Sequence, residues 1–139
     1  MNKDCIFCKI VQGAVPASKV YEDENTVAFM DVQPVVKGHV LVVPREHCDP
    51  ITETPPEVLS KLIAVVRKVA RSLTEGLGAD GINVSQANGK VAGQVVPHIH
   101  FHVIPRFSND GHSWNWDPKE YDSTEEMDSY ADKIRKALQ

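Results

Sequence analysis

Apolar and polar positions along this chain follow two rhythms. Alternation with period two marks a half-buried strand, and recurrence every three to four residues marks an amphipathic helix. The clearest alternation is Pro97-His98-Ile99-His100-Phe101-His102-Val103-Ile104-Pro105. It predicts a strand with Ile99, Phe101 and Val103 toward the core and His98, His100 and His102 sharing the opposite face. Pro97 has no N–H to give a ladder, so it is expected at the first residue of that strand.

The other elements follow in order. Cys5 to Val11 is a mostly apolar segment ended by Gly13 and reads as a short helix or turn. Val20-Tyr21 and Thr26 to Met30 read as short strands around a polar turn, with a loop from Asp31 to Gly38. His39 to Val43 is nearly all apolar and β-branched, a buried strand stopped by Pro44. Thr54 is expected to cap a helix, with Pro55 first in it and Glu57 completing a capping box. Leu59, Leu62, Val66, Val69 and Leu73 recur at helical spacing, opposite Lys61, Arg67, Lys68 and Arg71, until Gly76 and Gly78 end the run. Gly81 to Ser85 is a further strand. A loop from Gln86 to Gln94 joins it to the histidine row, with Asn88-Gly89 turning the chain. Ser123 to Glu126 is a second capping box, opening a helix that carries Met127, Tyr130, Ala131, Ile134 and Leu138 on one face.

Composition narrows the class. The 139 residues suit a single domain, residues 1–139, with a real core. Hydrophobic content is 42% and charged content 24%, ordinary for a globular protein. A net charge of −4 gives no general attraction to nucleic acid or an anionic membrane. No apolar run approaches the roughly 18 residues of a membrane span, and no signal-peptide core follows Met1, so the expected compartment is the cytoplasm. Thiols stay reduced there, which argues against a disulfide framework of Cys5, Cys8 and Cys48.

Three of six histidines in one row point to chemistry rather than packing. Imidazole serves as metal ligand, acid–base or nucleophile. The Cys5–Cys8 pair is by itself ambiguous between half a zinc site, a redox pair and chance. A closed zinc site needs about four N or S ligands. Cys5 and Cys8 with His47 and His98 would supply them. His100 and His102 then stay free beside the amide-lined loop, where an anion can be held. An unliganded imidazole there suits attack on phosphorus, with His100 as nucleophile and His102 at the leaving group. Asp31 can cap its turn or accept from a sugar diol. His39 reads as a satisfied structural histidine, and Arg106 as a phosphate contact or a solvated strand end. Trp114 and Trp116 in the tail are expected at a subunit interface or the site rim.

His98-Ile99-His100-Phe101-His102-Val103-Ile104 resembles the His-φ-His-φ-His-φ-φ signature of the histidine triad (HIT) superfamily, where φ is apolar. Asn88-Gly89, Gly93-Gln94, Pro105-Arg106, Phe29-Met30-Asp31 with Pro34, and Gly38 through Pro44 fall in the family's order and spacing. The resemblance covers about residues 5–106 and leaves the tail 107–139 unmatched. It implies an α+β HIT-like domain: a five-stranded antiparallel sheet, one long central helix and short terminal helices, paired as a homodimer. It implies a hydrolase or transferase of the Hint-like branch. Such enzymes cleave purine nucleotide conjugates at the α-phosphate through a nucleotidyl-histidine. By the same resemblance His100 is the nucleophile and His102 assists. Asn88 and Gln94 contact the phosphate, Asp31 holds the ribose, and Ile6 and Phe7 form part of the base pocket. His39 supports the site, and Cys5, Cys8, His47 and His98 hold a structural zinc; no organic cofactor is implied.

Two positions depart from the pattern. Val95 stands where Hint-type relatives carry Ser and Fhit-type relatives Thr, so one phosphate-side hydroxyl is missing. Pro97 replaces a larger residue. Three competing readings remain: a dinucleoside polyphosphate hydrolase, a zinc-dependent hydrolase whose three row histidines hold a catalytic metal, and a nucleotide-binding or interaction module with little catalysis.

Overall fold

The computed structural model describes residues 2–113 and 117–138. Trp114 and Trp116, on which the tail expectation rested, lie outside the described residues. Five strands form one antiparallel sheet: β1 (Lys19–Glu22), β2 (Thr26–Met30), β3 (Val40–Pro44), β4 (Gly81–Ser85) and β5 (Phe101–Arg106). Their order is β1-β2-β3-β5-β4. Three helices accompany them: α1 (Ile6–Val11), α2 (Pro56–Leu77) and α3 (Thr124–Ala137).

β3 is central and buried along its whole length, as its unbroken apolar run predicts. Alternation then splits the core between the two sheet faces. Val40 and Val42, with Ala28, Ile99 and Val103, pack under Leu62, Val65, Val66, Val69 and Leu73 of α2. Leu41 and Val43, with Val27 and Phe29, pack under Phe7, Cys8, Ile10 and Val11 of α1. Leu41 pairs with His102 and Val40 with Val103. That register puts the even-numbered histidines on the α1 face and Ile99 and Val103 on the α2 face.

Three boundaries differ from the expectations. Thr54 does not cap α2; its hydroxyl donates to the Pro50 carbonyl at 2.8 Å. It thereby closes the 3₁₀ turn Ile51–Glu53, and α2 starts at Pro56 with Pro55 before it. Gly76 stays helical. Gly78 alone ends α2, at φ +68°, with its N–H meeting the carbonyls of Leu73 and Thr74. The histidine strand begins at Phe101 rather than Pro97. The carbonyl of Pro44, which would extend the ladder, lies 2.9 Å from Nε2 of His98. Ile99 donates instead to the Cys48 carbonyl at 2.7 Å, outside the sheet. The inward and outward alternation nevertheless holds through residues 98–103.

The second capping box forms. Ser123 Oγ accepts from Glu126 N at 3.1 Å.

Candidate active site and metal cluster

Each triad histidine has one ring nitrogen engaged by a different partner, and this separates their chemistry. Nε2 of His98 faces the Pro44 carbonyl, which can only accept, so that nitrogen carries the proton. Its bare Nδ1 points at Cys5 Sγ, 3.4 Å away, and Cys8 Sγ, 3.6 Å away. His47 Nδ1 lies 3.3 Å from Cys8 Sγ. All four donor atoms lie within 4.8 Å of one another.

Zinc bonds of about 2.0–2.3 Å would set the edges of a ligand tetrahedron at about 3.3–3.8 Å, so this donor set fits the ion. Burial holds the His98 imidazole neutral, pushing it down to about 4, and a ligand must be neutral. The proton on its far nitrogen, fixed on a backbone carbonyl, is the usual orienting contact of a metal-bound histidine.

His100 donates from Nδ1 to the His98 carbonyl at 2.7 Å. Its Nε2 keeps the lone pair. Every fully buried polar side-chain atom among the described residues has a partner. Nε2 of His100 makes no hydrogen bond there, so it is open to solvent. The ring stands edge-on to Phe7, centroids 5.0 Å apart, and that contact restrains its rotation. Burial pushes its pKa below the ordinary value, so the nucleophilic form persists below neutrality.

His102 is oriented by a relay. Val35 N donates to His39 Nδ1 at 3.1 Å, which places the His39 proton on Nε2. That proton meets His102 Nδ1 at 2.9 Å, leaving the His102 proton on Nε2. Asp31 Oδ2 lies 3.6 Å from His39 Nε2 and supports this arrangement. Asp31 Oδ1 accepts from Gln33 N at 2.8 Å, so the carboxylate also caps its own turn.

A cavity of about 360 Å³ opens over His100 and His102, lined also by Ile6, Phe7, Asp31 and Val95. Val32 and Val95 stand on its rim, 94% and 90% exposed. A larger hollow beside Arg45 and Glu57 holds no histidine or thiol, so it carries no comparable chemistry.

Asn88 and Gln94 do not line the cavity. Asn88 Oδ1 accepts from Ile51 N at 2.8 Å. Gln94 uses all it has: Oε1 accepts from Gly89 N, and Nε2 donates to Asp49 Oδ1 and the Val96 carbonyl. Neither amide of Gln94 is free for a phosphate. Both residues instead brace the loop that brings Gly93 and Val95 to the site. Asp49, which the sequence reading did not single out, anchors this bracing. Arg106 is neither a phosphate contact nor a solvated end. It pairs with Asp110 at 2.7 and 3.1 Å and donates to Asn83 Oδ1 at 2.8 Å, tying residues 106–112 together.

The three row histidines do not converge on one metal. Among the described residues, only the cysteine cluster and the Asp31–His39–His102 group bring three or more donors together. In the second group, the Val35 N–H on His39 Nδ1 keeps the proton on the nitrogen a metal would need. This removes the geometric basis of the catalytic-zinc reading. No described helix is long and apolar enough to cross a membrane.

The HIT domain family model matches residues 12–109. A HIT-like protein of Methanocaldococcus jannaschii is 50% identical over 107 residues, 77% of this chain and 82% of that protein. The adenosine 5'-monophosphoramidase of Schizosaccharomyces pombe is 43% identical over 102 residues, 73% of this chain and 74% of that protein. A crystal structure from Streptococcus mutans superposes with a TM-score of 0.94 at 40% identity, covering 100% of this chain and 88% of that one. A zinc-bound histidine triad protein from Mycobacterium smegmatis gives a TM-score of 0.76 at 41% identity, covering 96% and 97%.

Proposed function

Given that the chain belongs to the HIT family, we propose that it is a nucleotide hydrolase or transferase that cleaves purine nucleotide conjugates at the α-phosphate through His100. The observation that carries this reading is the His100 Nδ1–H bond to the His98 carbonyl, which leaves a bare Nε2 over the cavity. The monophosphoramidase name of the Schizosaccharomyces pombe relative supports an amine leaving group on adenylate.

In the proposed reaction Nε2 of His100 attacks the α-phosphorus. The N–P bond forms as the bond to the leaving group breaks. The departing nitrogen or oxygen takes its proton from solvent, while His102, held by the His39 relay, keeps its Nε2 proton and donates a hydrogen bond to a phosphoryl oxygen. Water then attacks phosphorus from the vacated side. The water gives its proton to solvent, the N–P bond breaks, and His100 returns to its starting tautomer. Asp31 holds the ribose hydroxyls with Oδ2, the carboxylate oxygen its turn leaves free. Ile6 and Phe7 contact the base. Cys5, Cys8, His47 and His98 hold a structural zinc that ties α1 to the segment leading into β5. The molecule works as a homodimer in the cytoplasm.

Mass spectrometry of protein quenched during turnover of an adenosine phosphoramidate tests the reading. The expected adduct is one adenylate on His100. Turnover with no adduct, or an adduct elsewhere, overturns it. Faster release of adenylate from diadenosine tetraphosphate would move the substrate to the polyphosphate class while keeping the nucleophile.

A further inference from the structure

The departing half of the substrate meets a part of the cavity that the residues named above leave unused. His100 is 6% exposed and sits at the cavity floor, with its bare Nε2 facing the opening. An in-line displacement carries the leaving group away from that nitrogen, toward the cavity mouth. One wall of the mouth is the loop that supplies Gly93, Val95 and Val96. None of these three has a side chain that can hydrogen-bond.

Val95 is 90% exposed, and its neighbours hold it there. Gln94, before it, is tied through its side chain to Gly89 N and to Asp49 Oδ1, each at 2.7 Å. The Val96 carbonyl, after it, accepts from Gln94 Nε2 at 3.0 Å. Val95 cannot turn inward without breaking these bonds. A lone valine on an open surface needs no explanation. One fixed in water at the mouth of a cavity, over a nucleophile, is a contact for whatever enters. Charge points the same way. Among the described residues no Lys, Arg, Ser or Thr lines the cavity, and its one formally charged lining residue is the carboxylate Asp31. An anionic leaving group would lose hydration against Val95 with no cation to receive it. An uncharged apolar group suffers no such loss and frees the water lying over the valine.

We propose that Val95 is a specificity-determining residue: it selects conjugates whose leaving group has an uncharged, apolar body over conjugates whose leaving group is anionic. The inference rests on the nucleotide-conjugate reading above and names the half of the substrate which that reading leaves open. The missing hydroxyl at this position is then a change of preference and not a loss of function.

The ratio of kcat/KM for two adenosine phosphoramidates tests this. One carries 4-methylpentylamine and the other 4-aminobutyrate, amines of like size and basicity that end in an isopropyl group and a carboxylate. The wild type should prefer the first by about 10-fold or more. Val95→Thr keeps the shape of the side chain and should cut that preference severalfold. Val95→Lys supplies a cation and should reverse it. Position 95 is exposed, so neither change burdens the core, and a general effect on phosphate binding acts on both conjugates and cancels in the ratio. A wild-type ratio within about twofold of unity, or a ratio that both variants leave unchanged, overturns the role of Val95. Adenylate trapped on His100 in the same experiment would leave the catalytic reading standing. Turnover of neither conjugate, with no adduct on His100, overturns both.

Discussion

His39 Nε2 lies 2.9 Å from His102 Nδ1, and the Val35 N–H on the other side of His39 gives this contact a direction. A backbone amide four positions past Asp31, in the 31–38 loop, thus sets the tautomer of a side chain on β5. His39 is 2% exposed and never touches the cavity, so it is a positioning residue.

His39→Phe should therefore lower kcat by about 10–100-fold while KM for the nucleotide moves little, because His102 loses its tautomer but the pocket keeps its shape. His39→Gln, which retains a donor, should recover part of the loss. Steady-state kinetics on both variants checks this; equal kcat for wild type and His39→Phe would remove the relay from the mechanism.

His100→Ala should lower turnover by about 10³-fold or more while adenylate still binds, since Asp31, Ile6 and Phe7 remain. Isothermal titration with adenylate, run beside the kinetics, separates the two effects. Undiminished turnover would show that another group attacks phosphorus.

Cys8 is wholly buried, between His47 and His98. Cys8→Ser should lower bound zinc well below one ion per chain. It should also lower Tm by about 10 °C, because metal-binding energy is folding energy here. Elemental analysis with calorimetry measures both. Chelation of the wild type should reproduce the loss of Tm, and full zinc occupancy in the variant would exclude Cys8 as a ligand.

His102 ties stability to pH. Burial, reinforced by His100 and His39, pushes its pKa from the ordinary 6.5 down to about 4. Between those values the unfolded chain binds a proton that the native state does not. Stability from this group is fully present above about pH 6.5 and is lost progressively as the pH falls toward about 4. Urea unfolding should therefore show a steeper decline over that window for wild type than for His102→Gln. Zinc ligands titrate in both proteins and drop out of the difference. Parallel slopes would mean that His102 is not held neutral.

Gly38 has φ +106°, and an added Cβ would sit 2.8 Å from both Leu77 Cδ1 and Pro105 Cγ. Gly38→Ala should destabilise the domain by about 2–3 kcal/mol through strain and overpacking together. It should also disturb His39, the next residue. Chemical denaturation measures the first effect, and a wild-type unfolding midpoint would refute it.

The two-faced arrangement of the histidine row was legible from local sequence. Period two sends Ile99 and Val103 to the α2 face and the histidines to the other, and that pattern survives even where the ladder stops at Phe101. The long helix, the buried β3 run and the Ser123 cap are likewise local consequences of side-chain spacing and hydrogen-bonding capacity. The Cys5–Cys8 pair announced half a donor set; its partners His47 and His98, named from the sequence, come from 39 and 90 positions away, and the structure brings all four together.

Tertiary structure decided whatever depended on competition for a hydrogen bond. Thr54 was available to cap α2, but the Pro50 carbonyl took its hydroxyl. Gln94 had the groups to grip a phosphate, but Gly89, Asp49 and Val96 used them all. Arg106 found Asp110 and Asn83 before any anion. The row itself showed that three imidazoles share a face; only the packed structure assigned each proton. Which nitrogen is bare depends on whether a carbonyl, an amide or another ring lies opposite it, and those neighbours are distant in the chain.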